Sequence, residues 1–143
     1  MDRAIQLLLV IALAVLTLQI STIFLGGCGE ESNSEPESLE GVWTSVERED
    51  ATSRMTATIR ANTMTIHHVN DEDGVELLYW VGTVPELVEH GTTFLSEGDH
   101  EAMEFAIFAS LLEEKEFTFK DGEIQFTRGL MGVSWDVRLR RFQ

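Results

Sequence analysis

Residues 115–127 read Lys-Glu-Phe-Thr-Phe-Lys-Asp-Gly-Glu-Ile-Gln-Phe-Thr, and this stretch decides the fold class. Apolar and polar residues alternate on both sides of Asp121-Gly122, with the period of two that is typical of a half-buried β-strand. Asp-Gly between two such runs favours the tight turn of a β-hairpin, because glycine adopts positive φ without steric cost. The stretch therefore predicts two antiparallel strands joined by a two-residue turn.

The same alternation recurs along the chain from Gly41 onward and predicts about eight strands. They cover residues 41–46, 55–60, 63–69, 75–84, 92–96, 115–120, 123–127 and a last strand in which Trp135, Val137 and Leu139 share a face. The 75–84 strand is apolar on both faces for part of its length, which predicts a central position. Many short strands with polar turns indicate a mainly β fold, and we predict a small antiparallel β-barrel.

Residues 102–112 depart from the period of two. They read Ala-Met-Glu-Phe-Ala-Ile-Phe-Ala-Ser-Leu-Leu, with helix-forming residues throughout and Met103, Ala106, Ile107 and Ser110 at helical spacing. We predict one short helix here that covers an opening or an edge of the sheet. The segment is apolar enough to serve either as a plug or as a surface that binds a partner, and both interpretations stay open.

An apolar run precedes the β region, and it ends at the only cysteine of the chain. Residues 5–24 are long enough to span a hydrocarbon core, and Leu25-Gly26-Gly27-Cys28 follows them. Small residues at that place are typical of a signal-peptide cleavage site. A signal peptide over residues 1–27 is therefore predicted, and an uncleaved transmembrane anchor is the alternative.

Residues 28–40 differ in composition from what precedes and follows them. They contain four glutamates before Leu39 and almost no apolar side chains, so this segment cannot bury enough surface to fold. We expect a disordered acidic tether after the N-terminal signal helix, and a single β-barrel domain over residues 41–143.

The tetrapeptide that ends at Cys28 resembles the lipobox of a bacterial lipoprotein. The resemblance implies that the chain is cut before Cys28, that the thiol carries a covalent diacylglycerol, and that the domain sits on the extracytoplasmic face of the cell membrane. No other cofactor is expected. Two acyl chains are enough for stable attachment, whereas one binds a membrane only marginally.

The β domain itself resembles small surface lipoproteins of Gram-positive bacteria and their temperate phages, with a lipocalin-like barrel. The resemblance is carried by aromatic strand residues and turn glycines in residues 41–44, 78–83, 102–112, 115–123 and 131–133. It implies a non-enzymatic protein that takes part in superinfection exclusion through contact with a phage or envelope protein. The alternative is a lipocalin-like binder of a small apolar ligand at the cell envelope.

Charge limits the partners of this chain. Twenty-five acidic and ten basic residues give a net charge of −15. Such a balance disfavours nucleic acid, whose phosphates require Lys and Arg. It also repels anionic lipid headgroups, so we expect the folded part to stand off the membrane as a monomer while the lipid holds it.

Catalytic and metal-binding motifs are weak throughout. His67 and His68 are adjacent in a strand and point to opposite faces, so they cannot easily share a metal, and His68 is expected to line the barrel interior. Residues 71–74 begin like a calcium loop but lack the rest of the pattern. The glutamates of residues 113–116 are expected in a solvated turn, and no serine lies in a nucleophile elbow. We therefore predict neither an enzyme nor a metal site.

Four aromatic residues are the best candidates for a ligand site. Trp43, Tyr79, Trp80 and Trp135 either form an aromatic floor for a ligand or fill the barrel core, because a small eight-stranded barrel can do either. Arg138 and Arg140 share a face of the last strand. They are expected either to neutralise acidic residues on neighbouring strands or to form a small positive patch.

Overall fold

The computed structural model describes residues 35–47, 52–130 and 132–143. The predicted signal peptide, the lipobox with Cys28 and the tether up to residue 34 lie outside the described residues. No helix in the described ranges is long and apolar enough to cross a membrane.

Eight strands and one short helix make up the described chain, in the order in which the sequence predicts them. They are β1 (Gly41–Ser45), β2 (Ser53–Arg60), β3 (Thr63–Asn70), β4 (Glu76–Thr83), β5 (Thr92–Glu97), α1 (His100–Met103), β6 (Glu114–Lys120), β7 (Glu123–Leu130) and β8 (Val133–Arg141).

All eight strands belong to one antiparallel sheet with the order β4-β3-β2-β1-β8-β7-β6-β5. Consecutive strands therefore pair with each other except β4 and β5, which are the two outer strands, and β1 pairs with β8 across the chain termini. The sheet curls into a nearly closed barrel, because an isolated bridge joins Gly82 of β4 to Gly98, the residue that follows β5. The prediction of a mainly β fold, an eight-stranded antiparallel barrel with one short helix, is confirmed.

The strand registers give the barrel two ends. The turns at residues 61–62 and 121–122 lie at one end together with residues 35–40 and the C-terminus, and we call it the closed end. The loops at residues 71–75 and 98–113 lie at the opposite end, which we call the open end.

Apolar side chains fill the closed end. Trp43 is fully buried, donates from its indole Nε1 to the Leu39 carbonyl at 2.9 Å and meets the Phe119 ring edge-on at 6.4 Å. Arg141 covers it from outside, with its guanidinium 4.7 Å from the Trp43 ring centroid and hydrogen bonds to the carbonyls of Ser38 and Glu40. These bonds hold the segment before β1 against the closed end. The buried side chain of Leu39 fills that end of the barrel.

The prediction that the 75–84 strand is central is wrong, because β4 is an outer strand of the sheet. Its two apolar faces have another cause. The pairing of β3 with β4 slips between Ile66 and His67, so that Ile66 pairs with Trp80 and His67 with Leu78. Tyr79 is the extra residue of this β-bulge, and both it and Trp80 are buried.

The predicted helix over residues 102–112 is wrong in its extent, because α1 covers only His100–Met103. Both ends of the segment are tied to the outer edge of β4: the Asp99 amide donates to the Val81 carbonyl, and the Ser110 amide donates to the Tyr79 carbonyl, each at 2.8 Å. These bonds satisfy part of an otherwise open strand edge and override the local helix propensity. The segment does cover an edge of the sheet, as predicted.

Candidate ligand-binding site

A half-open cavity of about 670 Å³ lies at the open end of the barrel. One wall is the segment that follows α1, residues 106–112, and the opposite wall is made by β6, β7 and β8. Tyr79 of β4 also lines the cavity. The lining residues are Tyr79, Ala106, Ile107, Phe108, Ala109, Ser110, Leu111, Leu112, Lys115, Thr127, Arg128, Gly129 and Ser134.

Lys115 is the first polar feature of the cavity. Its side chain is 5% exposed, and its ammonium Nζ donates to the Thr127 carbonyl at 2.8 Å. Nζ also lies 5.2 Å from the Tyr79 ring centroid and 5.4 Å from that of Phe126. Burial, and then repulsion by the Arg128 guanidinium, lower the pKa of Lys115 from 10.5 to about 8.

Arg128 is the second polar feature, and it is also buried. Its guanidinium carbon lies 5.4 Å from the Tyr79 centroid and 5.2 Å from that of Trp135. Its Nη1 approaches His68 Nδ1 at 3.2 Å and the Met55 sulfur at 3.7 Å. Lys115 and Arg128 thus contact the same tyrosine ring, so the only tyrosine of the chain joins two buried cations.

The four predicted aromatic residues separate into two groups. Trp43 belongs to the closed end, and Trp80 is fully buried with its indole Nε1 donating to Ser96 Oγ at 3.0 Å. Tyr79 lines the cavity, and Trp135 is half-buried beside Arg128. The barrel is therefore filled by side chains around Trp43 and Trp80, and a half-open cavity lies at the open end.

The remaining candidate residues take structural positions. His68 turns toward Arg128 in the barrel interior, as predicted, and the described residues contain no group of three or more His, Cys, Asp or Glu side chains that could hold a metal ion. In the 71–75 loop, Asp71 forms an ion pair with Arg54, and Asp73 Oδ1 accepts from the Val75 amide at 3.0 Å. These contacts are those of a solvated hairpin loop.

The arginines of β8 meet acidic partners. Arg140 Nη2 lies 2.6 Å from Glu123 Oε1, Arg138 Nη1 lies 3.7 Å from Glu123 Oε2, and Arg138 also pairs with Glu47. Of the two interpretations, the neutralisation of neighbouring acids describes these arginines. The glutamates at 113, 114 and 116 are exposed, as expected, but the prediction of a turn is wrong for Glu114 and Glu116, which belong to β6.

Lys115 and Arg128 were not among the predicted site residues, although the sequence contained a signal for both. Lys115 has the same strand parity as Phe117 and Phe119, and Arg128 has that of Ile124 and Phe126. A cation on the apolar face of an alternating strand must point into the core. Charged residues near the end of a strand are usually predicted to point into solvent. Each of these two residues lies in the part of its strand nearest the open end.

Comparisons of this chain with models of protein families, with curated proteins and with solved structures found no match. The resemblance to small surface lipoproteins stays a prediction.

Proposed function

We propose that this protein is a non-enzymatic binding protein of the cell envelope, whose barrel takes up a small apolar or amphiphilic molecule at its open end. The observation that carries the proposal is the cavity lined by residues 106–112 and Tyr79. Its volume lies within the range of about 300–1,000 Å³ that is usual for small-molecule sites. Its walls combine apolar side chains with few polar groups, as such sites do.

The direction in which the cavity opens supports this role. The described chain begins at Glu35, and the Glu37 amide and carbonyl pair with Val88 at the closed end. The chain that follows a lipid anchor on Cys28 would therefore enter the barrel at the closed end, whereas the cavity opens at the other end. The intact mass of the membrane-extracted protein tests this anchor: residues 28–143 plus a diacylglyceryl group are expected, and the mass of the whole chain would instead support the transmembrane alternative.

The ligand is tested by analysing what co-purifies with the full chain from cell envelopes. Ser134 is exposed and lines the cavity, so Ser134→Phe is expected to fill it without disturbing the core. Thr63→Phe adds the same ring at an exposed position of the closed end and is the matched control. A small molecule that accompanies the wild type and Thr63→Phe but not Ser134→Phe supports the proposal. Identical organic extracts from all three proteins would contradict it.

A second candidate function is superinfection exclusion through protein contact, and one observation favours it. Phe105, Ile107 and Leu111 are 90%, 94% and 95% exposed in the segment after α1. Large apolar side chains that cluster at a surface mark interaction sites in soluble proteins. A contact through these side chains is the step by which a surface lipoprotein would interfere with an incoming phage.

Phage plating tests this second candidate. Hosts that express the wild type are expected to reduce plating of at least one phage in a broad panel, and a Phe105→Ser, Ile107→Ser, Leu111→Ser triple variant is expected to lose that effect. Cys28→Ala reports whether membrane attachment is also required. Equal plating on the wild-type host and on an empty host across the panel would rule the function out.

A further inference from the structure

The charges that line the open-end cavity are opposite to the charge of the whole chain. The protein has a net charge of −15, yet no acidic side chain is found among the described residues that line the cavity. Its charged lining residues are Lys115 and Arg128. A cavity that formed by chance in so acidic a protein would be expected to carry acids, so this pair of cations calls for a physical reason.

Lys115 lacks the acidic partner that a buried ammonium group usually has. Lysine is almost never fully buried unless it is paired. Here Nζ donates to the Thr127 carbonyl, and within the described ranges no carboxylate oxygen comes within 4.0 Å of it. The neighbouring residues Glu114 and Glu116 are exposed and, by strand alternation, point away from the cavity. One carbonyl and two aromatic faces leave the charge of Lys115 only partly compensated.

The protein tolerates this charge at neutral pH. The lowered pKa of about 8 still leaves Lys115 mostly protonated at pH 7, beside the guanidinium of Arg128. Both cations face the ring of Tyr79, so their positive fields add in the same part of the cavity. An anion placed there would gain charge-assisted hydrogen bonds in a partly desolvated site, where such bonds are strongest.

The other wall of the cavity is apolar. Ile107, Phe108, Leu111 and Leu112 line it and are exposed, so they gain by being covered with hydrocarbon. A cationic floor and an apolar wall within one cavity match a molecule with an anionic head and a hydrocarbon tail.

We propose that the open-end cavity binds an anionic amphiphile, with its carboxylate or phosphate head at Lys115 and its tail along residues 106–112. This inference rests on the proposed small-molecule binding function and specifies its ligand class. Lys115 supplies the direct contact to the head, Arg128 adds a second positive charge, and the apolar wall covers the tail.

Photoaffinity labelling of the full chain in phosphatidylcholine nanodiscs tests the inference. Two probes carry the same diazirine-bearing ten-carbon tail, one ending in a carboxylate and the other in an alcohol. Labelled peptides are identified by mass spectrometry. The carboxylate probe is expected to label the peptide that contains residues 106–112 at least tenfold more than the alcohol probe. Unlabelled decanoate and decyl phosphate compete separately, and whichever competes more strongly identifies the head group.

Variants of the two lysines connect the labelling to the charge. Lys115 and Lys120 are the only lysines of the chain, and Lys120 is exposed at the closed end. Lys115→Met is expected to reduce labelling by the carboxylate probe about tenfold, and Lys115→Arg is expected to keep most of it. Lys120→Met should label like the wild type. Circular dichroism of each variant shows whether the barrel is intact, and Lys115→Arg keeps the test decisive if Lys115→Met does not fold.

The outcomes separate this inference from the proposed function. Equal labelling of residues 106–112 by the acid and the alcohol, unchanged in Lys115→Met, would overturn the anionic head and leave small-molecule binding standing. The absence of saturable labelling by either probe would overturn both.

Discussion

The closed and open ends of the barrel are built from the same strands but have different interiors. Around Trp43 and Phe119 the inward positions are apolar, and a tryptophan ring and Leu39 fill the barrel. At the open end, the inward positions of β3, β6 and β7 hold His68, Lys115 and Arg128. The packed end supplies stability, and the open end carries buried charge and exposed apolar surface that cost stability. This division is typical of proteins that hold a binding site on a rigid scaffold.

The largest expected difference between the two ends concerns apolar truncations. Phe119→Ala removes a fully buried ring that packs against Trp43, and it is expected to lower the free energy of unfolding by about 3–5 kcal/mol. Leu111→Ala removes an almost fully exposed side chain at the open end and should change it by about 0.5 kcal/mol or less. Urea denaturation measures both. Similar losses would mean that the open-end segment belongs to the cooperative core.

A smaller effect is expected where the two interiors meet. Ser96 is fully buried and accepts the hydrogen bond of the Trp80 indole, so Ser96→Ala leaves that N–H without its acceptor. We expect a loss of about 1–3 kcal/mol of unfolding free energy. Thr93→Val removes a hydroxyl pair with Thr118 on the exposed face of the same strand and should cost less, because water replaces it. Equal losses of unfolding free energy for Ser96→Ala and Thr93→Val, measured by thermal or urea denaturation, would contradict a packed interior at Ser96.

Removing the charge of Lys115 is expected to raise the free energy of unfolding, whereas the substitutions above lower it. The pKa of Lys115 is lowered from 10.5 to about 8, mainly by burial, so the protonated form destabilises the folded state below pH 8. Lys115→Met is therefore expected to raise the free energy of unfolding at pH 7 by about 1–2 kcal/mol, less than the full shift implies because contacts to Thr127 and the rings are lost. Lys120→Met should leave it unchanged.

The pH dependence of stability follows from the same shift. Between pH 8 and 10.5 the unfolded chain binds more protons at Lys115 than the folded chain does, so this group makes the free energy of unfolding rise with pH in that window. The gain of Lys115→Met over the wild type should therefore shrink from pH 7 to pH 10. A gain that stays constant across parallel urea titrations would show that the lysine is not buried as a charge.

The smallest expected effect lies in a closed-end turn. Ala61 adopts a φ of 47°, a region that costs an alanine energy and a glycine almost none. Ala61→Gly is expected to raise the free energy of unfolding by about 0.5–1 kcal/mol, and the bond from its amide to Glu40 should persist. Asn62→Gly at a φ of 62° should change less, since asparagine tolerates this region. A stabilisation at Asn62 alone would contradict the turn geometry.

Most of the barrel could be predicted from alternation, since every strand overlaps a predicted run, all but β4 with a period of two, and both tight turns lie where the sequence places them. The two predictions about the fold that were wrong failed because of contacts between distant parts of the chain. Residues 102–112 contain good helix formers, yet the amides of Ser110 and of Asp99 just before the segment pair with the edge of β4, and no local pattern reveals that edge. The double apolar face of β4 arose from a bulge at Tyr79, not from a central position.

The candidate site was predicted only in part. Tyr79 and Trp135 were identified by their chemistry, and both lie beside Arg128. Trp43 and Trp80 have the same chemistry and fill the core, because whether an aromatic ring lines space or fills it depends on how its neighbours pack. Lys115 and Arg128 were not predicted as site residues, because charged side chains are usually expected to face solvent. The alternation of the strands nevertheless directs both side chains inward.

Hydrogen–deuterium exchange of the full chain with and without decanoate tests the contrast between the ends most directly. The account predicts slower exchange in peptides that cover residues 76–80, 106–112 and 127–130, and unchanged exchange around residues 41–44, 57–64 and 118–124. The same measurement on Lys115→Met should show little protection anywhere. Protection concentrated at the closed end, or equal protection in Lys115→Met, would contradict the assignment of the open end as an anionic-ligand site.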